Sequence, residues 1–138
     1  IKHFANKSDS SIDLGIAINK FSAYIQFMRT IIPNFQMDEL QKMAVFLAIQ
    51  KQFVIISGGP GTGKTTITAA IISLLLDLAD KTPIISVCAP TGKASARIKE
   101  AIADNMDAKH KILFPPEAST IHRLLDYHPD SNTFTHNP

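Results

Sequence analysis

The stretch Phe53–Thr66, FVIISGGPGTGKTT, decides the reading of this chain. Its first five residues, Phe53 to Ser57, are apolar or small and mostly β-branched or aromatic, the composition of a buried central strand. Three glycines and a proline follow, where the chain must turn tightly and expose its backbone. Lys64, Thr65 and Thr66 then open a long apolar segment. Gly58, Gly63, Lys64 and Thr65 fit the phosphate-loop spacing of one glycine, any four residues, then Gly-Lys-Ser/Thr.

The chemistry of a polyphosphate explains these residue types. The β- and γ-phosphates of a nucleotide need many donors at short range and no side chains in the way. Glycine lets the backbone take positive φ and bring N–H groups up to the oxygens. Gly58, Gly59, Pro60, Gly61, Thr62 and Gly63 would form a concave anion nest, to which the following helix adds its first N–H groups, including that of Thr66, and its dipole. Lys64 is expected to reach the β- and γ-phosphates as a point charge, and the Thr65 hydroxyl to ligate the Mg²⁺ that bridges them. These two are the candidate catalytic residues, with ATP and Mg²⁺ as cofactors. The competing reading, an ordinary Gly-rich turn, does not require the strand before and the helix after that this pattern supplies.

The rest of the composition sets bounds. A chain of 138 residues is one domain's worth at most. With 45% apolar and 19% charged residues it reads as an ordinary globular protein. A net charge of +2 does not announce nucleic acid, so any DNA site must be a local patch. The single cysteine, Cys88, lies in an apolar run and reads as a buried structural thiol, which suits a reducing cytoplasm. No run is long enough to span a membrane, and the N-terminus lacks a signal-peptide pattern. The chain begins with Ile1, so a piece of a longer protein is expected.

Residues 1–12 are polar and serine-rich and read as a frayed arm or linker. From Asp13 to about Ile32, Leu14, Ala17, Ile18, Phe21, Ile25, Met28 and Ile32 recur at helical spacing, with Asp13 as cap and Pro33 helping to end the helix. A second helix is expected from about Asp38 to Gln50, with Leu40, Met43, Ala44 and Leu47 as its core face. The helix after the loop, about Lys64 to Ala79, is apolar nearly all round and must be buried on most sides. Ile84 to Ala89 reads as a second buried strand, and a third helix runs from about Lys93 to Asp104, with Ala94, Ile98, Ala101 and Ile102 inward. Residues 105–117 read as a polar connection, followed by a short helix over about Thr120 to Asp126 capped by Ser119 or Thr120. The tail from Tyr127 shows turn residues and no clear pattern. Strand–helix–strand–helix order argues for a parallel α/β sheet whose ligands bind at the strands' C-terminal edge.

Three further stretches narrow the function: DELQKMA with Gln41, PTGKASAR over Pro90–Arg97, and ASTIHRLL over Ala118–Leu125. In series with GGPGTGKTT they resemble the RecD-type superfamily-1 DNA helicases, the family of the exodeoxyribonuclease V alpha subunit, over roughly Pro33 to Asp126. The resemblance implies a P-loop NTPase (RecA-like) fold, α/β, with a parallel sheet flanked by helices and incomplete in this chain. It divides the chain into an N-terminal helical segment or linker, residues 1–35, and a partial ATPase domain, residues 36–138. It assigns Gln41 to the glutamine that reads the adenine edge, a task suited to an amide's paired donor and acceptor. A solvated polar residue on a helix is the plainer alternative. It also assigns Pro90, Thr91, Gly92 and Lys93 to a motif that grips single-stranded DNA. A hydroxyl, N–H groups at a helix start and an ammonium are common phosphate contacts. Arg97 lies four residues from Lys93 on the same helical face. Thr120, His122 and Arg123 match a second strand-contacting segment, although His122 could equally cap or pack. The other histidines, His3, His110, His128 and His136, lack metal-ligand spacing and read as surface residues.

An ATP-driven motor also needs a carboxylate pair after an apolar strand and an arginine for the transition state. No Asp-Glu pair follows an apolar strand, and the family's acidic motif is expected just after His136–Pro138. In the family's sheet, strands encoded downstream separate the phosphate-loop strand from the second strand, so a central gap and exposed strand edges that favour association are expected. The resemblance implies a 5′–3′ helicase acting in double-strand break repair and recombination, with other exodeoxyribonuclease V subunits as partners and no nuclease activity here. A phosphate-loop kinase or transferase would need an arginine cluster over the loop, whereas Arg29, Arg97 and Arg123 are widely spaced. ATPase stimulation by single-stranded DNA, as against a metabolite, separates the two. A non-catalytic nucleotide-binding interaction domain is the third reading, and calorimetric titration with ATP and Mg²⁺ tests it.

Overall fold

A helix apolar on nearly every side has to be wrapped by other elements, and the computed structural model, which describes residues 12–128, 131, 133 and 134, is arranged around one such helix. This is α3, Lys64–Leu78, whose Ile67, Ala69, Ala70, Ile72, Ser73, Leu74 and Leu76 are buried. Packed against it are α1 (Leu14–Ile31), α2 (Glu39–Gln50), α4 (Gly92–Ala103) and the short α5 (Ala108–Leu113). The remaining elements are β1 (Cys88–Ala89), β2 (Ser119–Thr120), α6 (Ile121–Leu124), β3 (Tyr127–His128) and β4 (Thr133–Phe134). β1 and β2 pair in parallel, Cys88 opposite Ser119 and Ala89 opposite Thr120, and β3 and β4 form an antiparallel pair.

The helix starts follow capping chemistry. Asp13 accepts from the N–H groups of Gly15 at 2.8 Å and Ile16 at 3.2 Å, and so opens α1. Asp38 and Gln41 form a reciprocal capping box at the start of α2. α1 buries Ala17, Phe21, Tyr24 and Met28. The Phe21 ring meets Phe46 of α2 at 5.3 Å between centroids, tilted by 56°. No helix among the described residues is long and apolar enough to cross a membrane.

Several expectations are corrected. Phe53–Ser57 joins no ladder, and Phe53 and Ile55 are 80% and 77% exposed. A strand is buried on both faces only when neighbours flank it, and none does so among the described residues. The second strand shrinks from Ile84–Ala89 to its last two residues, and Ile84 is fully exposed. The two segments do not pair with each other, as the expected central gap requires. α2 turns Val45 and Ile49 inward and leaves Leu40, Met43 and Leu47 exposed, so of its two apolar stripes the other one is buried. Among the described residues 12–32, Leu14, Ile18 and Ile32 are likewise exposed, and Ile98 of α4 is too. The frayed-arm expectation falls on residues 1–11, outside the described residues apart from Ile12.

The expected polar connection at 105–117 contains α5, capped by the Asp107 side chain on the His110 N–H at 2.9 Å. His110 is only 6% exposed, which corrects its reading as a surface residue. Its Nδ1 lies 2.8 Å from Asp107 Oδ1, and its Nε2 lies 3.2 Å from Asp77 Oδ1, off the line of a good hydrogen bond. Lys109 also donates to Asp77, so two cationic or polar groups of α5 clasp one carboxylate near the end of α3. Burial pushes the Asp77 carboxyl up, but the hydrogen bond from Lys109 and the adjoining His110 imidazole outweigh it and hold the group below the ordinary 3.8.

A carboxyl depressed in the fold stabilises above its unfolded pKa and loses that contribution as pH falls through the folded value. Asp77→Asn should therefore cost about 1 kcal/mol in urea unfolding at neutral pH. The difference from wild type should shrink below about pH 4, where both side chains approach neutrality. A difference independent of pH would contradict the clasp.

A candidate nucleotide and nucleic-acid site

The phosphate-loop residues fold into one tight structure at the start of α3. Gly61 and Gly63 have φ of 74° and 80°, the left-handed region, and Gly63 hands the chain into α3 with no side-chain cap. The first N–H groups of α3 are therefore left to the loop's concave side, as an anion nest requires. A Cβ at Gly58 would stand 2.6 Å from Thr62 Oγ1, and one at Gly63 2.8 Å from Gln41 Nε2, so a side chain at either position would displace one of these contacts. Gly59 and Gly61 have open space at the same position, and Pro60 is exposed.

Lys64 lies across this loop. Its Nζ donates to the carbonyls of Gly58 at 2.5 Å and Gly59 at 2.6 Å, and stands 3.3 Å from Thr62 Oγ1. Thr62 Oγ1 donates to Gly59 O at 2.8 Å. An ammonium held by weak neutral acceptors can be transferred to an anionic oxygen, a stronger partner. Thr65 is exposed in the first turn of α3. Thr66 is half-buried, with its hydroxyl 3.4 Å from Asn105 Oδ1 on the inner side.

Gln41 reaches the loop. Its Oε1 accepts from the Asp38 N–H at 2.9 Å, and its Nε2 donates to Thr62 O at 3.1 Å. One amide N–H and one lone pair remain for a further partner. Among the described residues no group of three or more His, Cys, Asp or Glu side chains could hold a metal by itself. The donor set fits Mg²⁺ only as Thr65 together with phosphate oxygens.

The second cluster is built by β1 and β2. Parallel pairing sets the ends of the two strands side by side, so Pro90–Lys93 and Thr120–Arg123 emerge together. Each strand leads to a threonine that caps the next helix, Thr120 at the end of β2 and Thr91 two residues past β1: Thr91 Oγ1 accepts from Ala94 N at 3.2 Å, and Thr120 Oγ1 from Arg123 N at 3.2 Å. Thr91, Lys93, Ala94, Arg97 and Ile98 line an open groove of about 370 Å³. Lys93, Arg97, His122 and Arg123 are exposed, and the His122 ring meets Tyr127 edge-on at 5.3 Å. The sequence reading missed Tyr127 and Asn105, which no motif marks.

Gly63→Ala should lower stability by about 1–2 kcal/mol, because the left-handed backbone disfavours a Cβ and Gln41 occupies its space. Unchanged chemical denaturation would contradict this loop geometry.

Residues 41–138 match the AAA domain family. The chain is 43% identical over 94 residues to the RecBCD enzyme subunit RecD of Haemophilus influenzae, covering 62% of this chain and 15% of that protein. It is 42% identical over 107 residues to the RecBCD enzyme subunit RecD of Mycolicibacterium smegmatis, covering 71% and 19%. The ATP-dependent RecD2 DNA helicase of Deinococcus radiodurans is 40% identical over 86 residues, covering 62% and 10%. The chain thus spans between a tenth and a fifth of the length of these relatives. With a phosphate loop opening α3 and a family match over most of its length, the chain belongs to the AAA domain family, among its RecD-type members.

Proposed function

We propose that this chain is the front part of the first motor domain of an ATP-dependent DNA helicase, which couples ATP hydrolysis to 5′–3′ movement along single-stranded DNA in double-strand break repair and recombination. The observation that carries this reading is the pairing of two clusters in one chain. One is a glycine loop with Lys64 across it; the other is two threonine-capped, basic helix starts held side by side by β1 and β2. The RecD-type relatives support it.

On this reading residues 36–138 are a partial RecA-like ATPase domain with a parallel sheet between helices, and residues 1–35 are an N-terminal helical segment or linker. Gly58–Thr66 bind the triphosphate, Lys64 draws the β- and γ-oxygens together, and Thr65 holds the Mg²⁺ that neutralises their charge. Gln41 offers its remaining N–H and lone pair to adenine. Pro90, Thr91, Gly92, Lys93 and Arg97 hold one stretch of strand backbone, and Thr120, His122 and Arg123 the next. The partners are single-stranded DNA and other subunits of an exodeoxyribonuclease V, and the compartment is the cytoplasm.

In the helicase polypeptide that carries these residues, Lys64→Ala should reduce ATPase and unwinding by about 100-fold or more. Activity near wild type would overturn the assignment. Lys93→Ala should weaken binding to an oligo-dT strand and lower the slope of log affinity against log salt by about 0.7, the share of one phosphate contact. An unchanged slope would remove Lys93 from the strand site.

A further inference from the structure

Three polar residues tie the start of α3 to the far end of α4 and to α1. The buried Tyr24 hydroxyl donates to Asn105 O at 3.1 Å and lies 3.3 Å from Thr66 O. Thr66 Oγ1 is 3.4 Å from Asn105 Oδ1 and is the only donor of that pair. The Asn105 amide is held in turn, since its Nδ2 donates to Ala101 O at 2.8 Å in the last turn of α4. Asn105 N also donates to Ile102 O at 3.0 Å, so the residue moves with α4. Burial raises the pKa of Tyr24 far above its ordinary value, so the phenol keeps its proton across the working range.

The placement has a mechanical meaning. The 12 residues of α4 span about 18 Å. Thr91 and Lys93 stand at one end of this rod and Asn105 just past the other. Thr66 is two residues beyond Lys64, in the first turn of α3. The two proposed ligand clusters are therefore joined by one helix and one short polar junction. Tyr24 has a single hydroxyl proton for two carbonyl acceptors. It favours one of two arrangements, bonded to the fixed first turn of α3 or to the end of α4, and a shift of α4 changes which is better. Coupling between sites requires an element of this kind, with two arrangements that both ligands bias.

We propose that Tyr24, together with Asn105, is a positioning residue that couples nucleotide occupancy of the phosphate loop to strand binding at Thr91 and Lys93. This inference rests on the helicase reading above. It gives α1, which carries no phosphate or strand motif, a part in the motor.

Coupling between two binding sites is reciprocal, so one factor should appear in both directions. The test measures, in the helicase polypeptide, the Kd of a non-hydrolysable ATP analogue with and without oligo-dT, and the Kd of oligo-dT with and without the analogue. Wild type should show one coupling factor of about fivefold or more in both measurements. Tyr24→Phe keeps the ring and removes only the hydroxyl. It should reduce that factor at least about threefold, while each ligand alone binds within about twofold of wild type. Asn105→Ala should do the same, and the double variant should lose no more than the larger single loss, because both act through one junction. Lone affinities that fall with the factor retained would show a merely structural role and overturn the inference. An unchanged factor in Tyr24→Phe would overturn it while leaving the helicase reading intact. Wild type that binds the analogue but no oligo-dT would overturn both.

Discussion

The burial of α3 is the constraint on which the rest of the structure depends. Seven of its 15 residues are buried, on faces turned to α1, α2, α4 and α5. A helix enclosed in this way cannot roll or slide without opening cavities in a close-packed interior. Its first turn is therefore fixed in space, and with it the direction of the uncapped N–H groups behind Gly63. The glycine loop needs such an anchor, because glycines by themselves confer freedom and not shape.

The second cluster reaches order by a different route. β1 and β2 are only two residues long, too short to supply a core. Their work is positional. A parallel ladder sets two chain exits side by side, and each exit is a threonine that bonds the backbone of the helix it opens. The same grammar occurs twice, with a basic or imidazole side chain two residues past each threonine, Lys93 and His122. Two helix starts of matched chemistry then follow from the same end of a short ladder. The exposed Lys93, Arg97 and Arg123 give a locally basic surface on a chain whose net charge is only +2.

Local chemistry was legible in the sequence where it is self-contained. The helices α1 to α4 lie within one or two residues of their expected bounds, because Asp13, Asp38 and Thr91 act as caps over a few residues. The phosphate loop followed from residue types alone. What depends on distant neighbours was not legible. Phe53–Ser57 has strand composition, yet the ladder that would bury it requires partners that the segment cannot specify. The face α2 buries was misjudged because Leu40, Met43, Ala44 and Leu47 and the Val45–Ile49 pair both recur at helical spacing, and only the packing of α2 on the rest of the chain selects Val45 and Ile49. α5 was hidden by flanking Asn, Asp and Pro residues, and the burial of His110 depends on Asp77, 33 residues earlier in the chain. Tyr24 drew no notice in the sequence, because no motif marks it and the partners of its hydroxyl, Thr66 O and Asn105 O, lie 42 and 81 residues away.

The position of the Lys64 ammonium bears on what binding would involve. Its bonds to the Gly58 and Gly59 carbonyls brace the loop from within, so the side chain proposed to meet a phosphate also holds the shape of the loop. An arriving anion then exchanges partners with a cation already at hand, and little backbone has to be immobilised at that moment. On the proposed function the loop is a latch with its bolt inside, and it would favour highly charged oxyanions because only a strong acceptor can draw the ammonium away from two carbonyls at once.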